Sequence, residues 1–407
     1  MKHSVENVTA ILVDDDEFQR KILNHQLTEK GIGSIVACTN GLEAIDQLNI
    51  RRIYDALILL DLNMPIMDGV AFLNLLQKTE FTGAIILISG EDLRILESTV
   101  KLAASYGFTV LGHLQKPVVR ERLDYLVNKF LSHTNEKKKP GIKKEYAAER
   151  LRLAIKDGEI FNEYQPKVDM QTGQIIGAEA LVRWLHPEDG VINPVDFIPL
   201  AEENALIDDL FVFVLRTALQ DQIGWEKDGY ELSVSVNVSV ENLSSIEFVN
   251  LVKNELLNAG VEPQKLVLEI TESTLVKEYS LVLGILTSLR LHKIAISIDD
   301  FGTGHSSMAQ LRDIPFNELK LDRSFVHDAC KDKTLGSIFN ASLQLANNLN
   351  IKAVAEGIEN IADWNFSAVS HCDIAQGSFI SSPIPANQMI DCISEWSRKH
   401  ASLEDDG

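Results

Sequence analysis

The chain has 407 residues, more than one hydrophobic core usually serves, so we expect two domains, one of which can be a barrel. Its formal net charge of −21 repels nucleic-acid backbones and argues against a DNA-binding output domain. The apolar runs are shorter than the roughly 20 residues that span a bilayer, and no apolar leader precedes the first predicted strand. We therefore expect a cytoplasmic protein without membrane contact, whose four widely separated cysteines are reduced.

In the first third of the chain, short apolar runs alternate with amphipathic stretches. The runs at residues 10–13, 56–60, 85–88 and 110–114 are predicted strands, and the stretches at 17–30 and 41–48 are predicted helices. This alternation is typical of an α/β fold in which a parallel sheet is covered by helices on both faces.

Carboxylates follow two of these predicted strands. Asp14 and Asp15 come directly after the first, and Asp61 follows the run at 56–60. Because parallel strands end at one edge of the sheet, where such folds bind ligands, these carboxylates are expected to share a divalent cation. The cation would bring a phosphoryl group to Asp61 as nucleophile. Ser89 and Lys116 supply a hydroxyl and an ammonium for the phosphoryl oxygens.

This order and spacing resembles the receiver domain of two-component response regulators over residues 8–131, a doubly wound, flavodoxin-like fold. The resemblance implies that a cognate sensor histidine kinase is the partner that phosphorylates Asp61. It also implies one Mg²⁺ in a pocket formed by Asp14, Asp15 and Asn63.

The switch residues implied by the resemblance are Ser89, His113 and Lys116. Three residues before the lysine, the family usually has a Tyr or Phe that swings inward on phosphorylation, and this chain has His113 instead. Imidazole is smaller and more polar, so the ring either rotates differently or lies at the surface. We assign it no catalytic role.

A lysine-rich stretch with Pro140 and Gly141 separates two periodic regions, and we predict a linker at 132–146 between domains at 1–131 and 147–402. Beyond it, the predicted strands are residues 163–168, 175–184, 232–239, 266–271, 294–300, 318–322, 353–356 and 373–379. Eight strands in about 250 residues fit a TIM-like (β/α)8 barrel.

Almost every predicted barrel strand ends in a group that binds metal or phosphate. These groups are Glu179, Asn237, Glu269, Asp299, Asp300, Lys320, Asp322, Glu356 and Gln376. The C-terminal ends of barrel strands converge on one mouth, whereas a charge midway inside the barrel would be costly. Crowded carboxylates repel one another unless cations lie between them, and hard oxygen ligands select Mg²⁺ or Mn²⁺ over Zn²⁺. Two such ions can activate water for displacement at phosphorus, with Asp300 as the natural second-site ligand.

Seven segments of this region follow one another as in EAL domains: GAEALVRW, SVNVS, LEITES, DDFGTGHSS, LKLD, AEGIE and AQG. The resemblance covers residues 147–400, and the naming tripeptide is Glu179, Ala180 and Leu181. It implies hydrolysis of one phosphodiester bond of cyclic di-GMP to linear 5'-pGpG, in a TIM-like barrel with one reversed strand.

The resemblance also implies a set of metal ligands. Glu179, Asn237, Glu269 and Asp299 would hold the first ion, Glu356 would complete the metal shell as a catalytic group, and Asp300 and Asp322 would serve the second ion.

For the water and the substrate, the resemblance implies further roles. Lys320 would orient or deprotonate the attacking water, and Gln376 would help to position it. Arg183 would offer a guanidinium fork to a substrate phosphate, and Gln165 would meet a guanine or phosphate edge. Glu272 would brace the loop at 300–307 in a productive position and is grouped with the catalytic residues.

Two alternatives stay open. A catalytically weak domain would bind cyclic di-GMP as a sensor, and a scaffold would use the receiver to control partner docking. The intact carboxylate set favours the enzyme. EAL domains often dimerise near the DDFGTG segment, so we expect a homodimer or larger homo-oligomer.

Overall fold

The computed structural model describes residues 8–90, 93–136, 146–272, 279–302 and 308–405. The chain divides into two compact units, Met1–Lys144 and Glu145–Gly407. Within the described ranges, no helix is both long enough and apolar enough to cross a membrane.

The first unit is a parallel sheet of five strands with helices between them. Its strands are β1 (Thr9–Val13), β2 (Ser34–Cys38), β3 (Leu57–Asp61), β4 (Ala84–Ser89) and β5 (Thr109–Gln115). Its helices are α1 (Glu17–Glu29), α2 (Gly41–Arg51), α3 (Gly69–Leu76), α4 (Leu93–Ser105) and α5 (Arg120–Glu136). The strand order is β2-β1-β3-β4-β5, and all four pairings are parallel. The predicted doubly wound sheet is confirmed.

Alternate residues of the central strands enter two separate apolar clusters. In β3, Ile58 and Leu60 join one cluster, whereas Leu57 and Leu59 join the other. Because successive side chains of a strand point to opposite faces, both faces of the sheet are buried. This burial explains why the strand reads as an unbroken apolar run. The edge strand β2 was not among the predicted strands, because Ser34 and Ala37 are exposed and interrupt its pattern.

The second unit contains the remaining strands and helices. Its strands are β6 (Ile160–Asp169), β7 (Ile175–His186), β8 (Gly190–Ile192), β9 (Ser233–Val238), β10 (Leu266–Thr271), β11 (Ala295–Phe301), β12 (Glu318–Leu321), β13 (Lys352–Ala355), β14 (Ile374–Gln376) and β15 (Ile384–Pro385). Its helices are α6 (Ala148–Asp157), α7 (Pro194–Glu203), α8 (Ile207–Lys227), α9 (Glu247–Ala259), α10 (Tyr279–Leu291), α11 (Met308–Asp313), α12 (Arg323–Val326), α13 (Lys333–Asn348), α14 (Ile361–Val369) and α15 (Met389–Asp405).

Eight of these strands close into a barrel. The order runs β6-β14-β13-β12-β11-β10-β9-β7, and β7 pairs with β6 to complete the ring. Strand β6 is antiparallel to both of its neighbours, and the other barrel pairings are parallel. Strands β8 and β15 extend the sheet outside the ring. The predicted TIM-like barrel with one reversed strand is confirmed.

Sequence alternation determines which side chains face the barrel interior. In β9, Val234 and Val236 belong to the large apolar cluster of this unit, so Ser235 and Asn237 point the other way, into the barrel. The barrel interior is therefore polar. The side chains that point inward contact one another, and the alternate apolar side chains pack against the helices.

Candidate functional site

In the first unit, three carboxylates cluster at the carboxyl edge of the sheet, and two of them pair with one lysine. The Nζ of Lys116 lies 2.8 Å from Asp61 Oδ2 and 3.0 Å from Asp14 Oδ2. Carboxylate oxygens of Asp14, Asp15 and Asp61 lie within 4.8 Å of one another. The Asn63 N–H donates to Asp61 Oδ1 at 3.4 Å. The predicted acidic pocket is therefore assembled, with Asp61 buried and Asp15 exposed.

The electrostatics of this pocket suit a cation. Burial raises the pKa of Asp61 above its ordinary value, although Lys116 partly offsets the effect. A divalent cation would favour the ionised, nucleophilic form. The third carboxylate of the run, Asp16, instead caps helix α1 by accepting from the Phe18 N–H at 2.7 Å.

The predicted switch residues lie on β4 and β5. Ser89 is fully buried at the end of β4, and its carbonyl accepts from the Lys116 N–H at 2.9 Å. His113 is half-buried on β5. Burial, followed by the Arg122 charge, lowers the pKa of His113, so the ring is neutral at physiological pH.

In the barrel, four carboxylates surround the ammonium of Lys320, a side chain with 1% exposure. The Nζ lies 2.5 Å from Glu269, 2.7 Å from Glu356, 3.1 Å from Asp299 and 3.3 Å from Glu179. Glu179 lies on β7, Glu269 on β10 and Asp299 on β11. Glu356 directly follows β13. The lysine thus occupies the centre of the predicted ligand set.

Amide groups complete this ring. Asn237 donates to Glu179 Oε1 at 2.8 Å, and Gln376 donates to Glu179 Oε2 at 2.7 Å. The Gln376 amide also reaches Gln165 Oε1 at 3.0 Å. Its own oxygen is buried and has no hydrogen-bond partner in the part of the chain that the structure describes, so an acceptor is left unused next to Glu179 and Gln165. Glu179 lies in the middle of β7 and not at its end, because β7 continues to His186.

Negative charge is in excess here, because two buried lysines, Lys167 and Lys320, face five carboxylates: the four around Lys320 and Glu318. Burial raises the pKa of Glu356 to about 8 and that of Asp299 to about 6, although Lys320 partly offsets both. Burial also opposes ionisation of Glu269, but Lys167 and Lys320 outweigh it and lower its pKa to about 2. Burial and mutual repulsion thus favour the protonated forms of Glu356 and Asp299 as long as no cation offsets them.

Two further predicted residues lie near the ring: Asp300 borders it, and Asp322 is close to Asp300. Asp300 has a left-handed backbone (φ 55°), and its carboxylate lies within 4.8 Å of ligand atoms of Asp299 and Glu356. Burial, followed by the nearby Asp322 charge, raises the pKa of Asp300. Asp322 also caps α12 by accepting from the Ser324 N–H at 2.9 Å.

Glu272 accepts a hydrogen bond from the Gly302 N–H at 2.9 Å. This bond holds the residue that follows β11, which is where the predicted loop continues. Gly302 is in the left-handed region (φ 94°), and a Cβ there would lie 2.9 Å from the Phe325 ring. The rest of the predicted loop, residues 303–307, lies outside the described residues.

Arg183, predicted to bind a phosphate, is held by protein groups. Its Nε donates to Glu163 Oε2 at 2.9 Å, and one Nη donates to the Val182 carbonyl at 3.0 Å. Gln165 donates to the Ser381 carbonyl at 3.2 Å. Gln165 borders the ring through Gln376, and the substrate contacts of Arg183 and Gln165 stay predictions.

A buried lysine below the ring, Lys167 on β6, was missed by the sequence analysis. Its Nζ donates to Glu269 Oε1 at 2.6 Å and to Ser235 Oγ at 2.7 Å, and lies 3.6 Å from Glu318 Oε2. The expectation that charges midway inside the barrel would be avoided was wrong for this residue, because pairing offsets the cost of burial. Strand alternation offered a signal, since Lys167 is two residues from Gln165 and shares its face.

A largely apolar pocket of about 450 Å³ opens beside Asn237. Its walls include Leu181, Pro194 and Phe211. Ser239, also in the lining, donates to Glu202 at 2.6 Å and fixes one polar edge of the pocket.

The site residues fit hard divalent cations. All candidate ligands offer oxygen, no histidine or cysteine joins the described ring, and the excess of negative charge matches a cation of charge two. The Lys320 ammonium already stands among the carboxylates that a cation would bind.

Comparison with known families identifies both units. The EAL domain model matches residues 148–383, more than half of the chain. The chain belongs to the EAL domain family. The response regulator receiver domain model matches residues 10–128, so an N-terminal receiver domain precedes the EAL domain.

Several proteins similar to this chain are named as cyclic di-GMP phosphodiesterases. The cyclic di-GMP phosphodiesterase RocR of Pseudomonas aeruginosa is 30% identical over 95% of this chain and 99% of its own length. The bifunctional diguanylate cyclase/cyclic di-GMP phosphodiesterase MucR of the same organism is 39% identical over 59% of this chain, which spans only 35% of MucR. The solved MucR phosphodiesterase–c-di-GMP complex matches with a TM-score of 0.57 at 39% identity, covering 59% of this chain and 98% of that chain.

Proposed function

We propose that the EAL domain hydrolyses cyclic di-GMP to linear 5'-pGpG and depends on divalent cations. The observation that carries the proposal is the oxygen-only ring of four carboxylates and an asparagine amide around the buried Lys320. The names of RocR and of the MucR complex support the choice of substrate.

Two Mg²⁺ or Mn²⁺ ions fit this arrangement. The first would be held by Glu179, Asn237, Glu269 and Asp299, with Glu356 beside it, and the second by Asp300 and Asp322. When bound, such ions activate water and neutralise the charge that develops on phosphate oxygens.

The protein groups orient the reacting water. Lys320 carries its proton in this state, because its carboxylate neighbours outweigh burial and raise its pKa well above the ordinary value. Its three N–H donors face four carboxylates here, so it would donate to a water or to a phosphate oxygen once a cation takes over some of these carboxylates. Gln376 has a free acceptor oxygen that can receive a water proton while its amide stays fixed on Glu179. Together they would hold a water in one orientation, which lowers the entropic part of the barrier.

The substrate would lie across the mouth of the barrel. Arg183 would turn its remaining guanidinium donors to a phosphate while Glu163 fixes its Nε, and Gln165 would meet a base or phosphate edge. The pocket lined by Leu181 and Phe211 has the apolar character that a guanine ring requires. Glu272 would keep the residues after β11 in the productive arrangement.

The receiver would regulate this reaction. We propose that a sensor histidine kinase phosphorylates Asp61 with one Mg²⁺ held by Asp14, Asp15 and the Asn63 region, and that the rate of hydrolysis rises. A homodimer or larger homo-oligomer is part of the proposal.

One experiment tests the central claim. Purified full-length protein is incubated with cyclic di-GMP in Mg²⁺, in Mn²⁺ and in chelator, with and without an acyl-phosphate donor, and products are separated by chromatography. Appearance of 5'-pGpG only with a divalent cation is expected. Tight binding of cyclic di-GMP without turnover would instead identify a sensor and overturn the proposed hydrolysis.

A further inference from the structure

Lys167 is fixed below the ring by three oxygen-bearing neighbours. Its side chain is 3% exposed, and its Nζ contacts Glu269 Oε1 at 2.6 Å, Ser235 Oγ at 2.7 Å and Glu318 Oε2 at 3.6 Å. An ammonium this deeply buried cannot leave its partners without a large cost of unpaired charge. We therefore regard its position as constant.

The carboxylate of Glu269 is held at both oxygens. Lys167 takes Oε1, and Lys320 takes Oε2 at 2.5 Å. The Glu269 side chain has no exposed surface, so water cannot replace either lysine from outside.

The two lysines differ in their other partners. Lys320 touches the candidate metal ligands Glu179, Asp299 and Glu356, so it stands in the space that a cation would enter. Lys167 touches Ser235 and Glu318, which lie two residues deeper on their strands than Asn237 and Lys320. An incoming cation would compete with Lys320 for Oε2 and leave Lys167 on Oε1.

We propose that Lys167 is a positioning residue that keeps Glu269 a one-oxygen metal ligand and so favours Mg²⁺ and Mn²⁺ over Ca²⁺. The inference rests on the proposed divalent-cation dependence. Ca²⁺ takes six to eight oxygens and commonly binds a carboxylate through both of its oxygens, whereas Mg²⁺ requires a compact octahedron. With Oε1 occupied, Glu269 cannot chelate, and the larger ion loses a ligand.

The charge of Lys167 has a separate effect, which the test must exclude. A buried ammonium repels any divalent cation, so its removal changes the affinity for every such ion. Mg²⁺, Mn²⁺ and Ca²⁺ carry the same charge, and the ratio of two affinities therefore cancels the repulsion. The ratio reports how many oxygens Glu269 can offer.

The test compares Lys167→Met with the unaltered residue in the full-length chain. All proteins also carry Asp14→Asn and Asp15→Asn, which leaves Asp61 as the single carboxylate of the receiver pocket and so removes that pocket as a competing cation site. Mn²⁺ binding is measured by electron paramagnetic resonance, and Ca²⁺ is measured by displacement of Mn²⁺. We expect the affinity for Ca²⁺ relative to Mn²⁺ to rise about tenfold, the usual scale for changes behind a metal ligand. An unchanged ratio in a folded Lys167→Met protein would overturn the proposal.

Two further variants control for folding and for general disturbance of the barrel. Glu318→Gln weakens the lower anchor of Lys167 but leaves its bond to Glu269, so the ratio should stay at the level of the parent. The double variant Lys167→Met, Glu318→Gln removes both buried charges and spares Glu318 an unpaired state. It should show the same ratio as Lys167→Met, and it decides the question if the single variant does not fold.

The outcomes separate this inference from the proposed function. If the parent protein binds no Mn²⁺ at the barrel, the proposed metal dependence fails and the inference fails with it. If the parent protein binds Mn²⁺ and hydrolyses cyclic di-GMP but the ratio does not respond to Lys167, only the role of Lys167 is refuted.

Discussion

Replacement of Lys320 by Met removes one ammonium from the centre of four carboxylates, each within 3.3 Å of it. Loss of one partner from a buried ionic network costs about 3–5 kcal/mol. In chelator, the melting temperature of the barrel should therefore fall by about 6–20 °C, at roughly 2–4 °C per kcal/mol for a domain of this size.

With Mg²⁺ present the loss should be much smaller, because the cation takes the place of the ammonium. Mg²⁺ present at a hundred times its dissociation constant stabilises the folded protein by about 2.7 kcal/mol. Mg²⁺ should also bind more tightly, since no ammonium competes for the carboxylates. The kcat for cyclic di-GMP should nevertheless fall about 10²–10⁴-fold with little change in KM, as expected for loss of a group that acts on the attacking water.

Differential scanning calorimetry in chelator and in Mg²⁺, together with chromatographic initial rates, measures these effects. The matched control is Lys227→Met, which alters an exposed lysine at the end of α8. It should change neither the melting temperature nor the initial rate. An equal fall in melting temperature in both media would refute the idea that Lys320 stands in the cation's place. A change confined to KM would reassign Lys320 to substrate binding.

Other perturbations test the remaining roles. Glu179→Ala should abolish turnover with little loss of melting temperature, and wild-type rates would refute its assignment as a ligand. Arg183→Ala should raise KM about tenfold or more with little change in kcat, and unaltered affinity for cyclic di-GMP by calorimetry would restrict Arg183 to its structural bonds with Glu163 and the Val182 carbonyl. Asp61→Asn should remove the response of the rate to beryllofluoride, whereas an effect of equal size in both proteins would show that Asp61 is not the switch. Metal-free protein should lose stability as the pH rises from about 4 to 8. The folded-state pKa values of Asp299 and Glu356 are raised, so the protons that they bind stabilise the fold and are lost over this range. Thermal scans across this range with and without Mg²⁺ check the sign.

Strand positions and the inward face of the barrel followed from local patterns. In β9, alternation of valine with serine and asparagine separates the helix-facing side from the interior over six residues. The strand-end carboxylates of β11 could be predicted for the same reason, since periodicity fixes both the strand and the direction of Asp299.

Long-range pairing could not be predicted in this way. The environment of Lys167 depends on Glu269, which is 102 residues away, and on the closure of β6 onto β7. A lysine in the middle of a strand usually indicates an exposed face, because an unpaired buried charge is costly. The partner of Arg183 was equally hidden, since only the antiparallel pairing of β6 with β7 brings Glu163 to it.

The contacts in the receiver pocket suggest how a structural change caused by phosphorylation of Asp61 would spread to neighbouring strands. Lys116 bonds to Asp14 and Asp61 at once, and its N–H is tied to Ser89, so a phosphoryl group that draws the ammonium must disturb the ends of β4 and β5 together. His113 lies three residues earlier on β5, and its lowered pKa keeps the ring neutral near pH 7. A neutral imidazole can exchange a half-buried for a more buried position without carrying charge inward. The role of His113 as a switch residue stays a prediction, and the uncharged ring is the form that such a movement into the sheet would require.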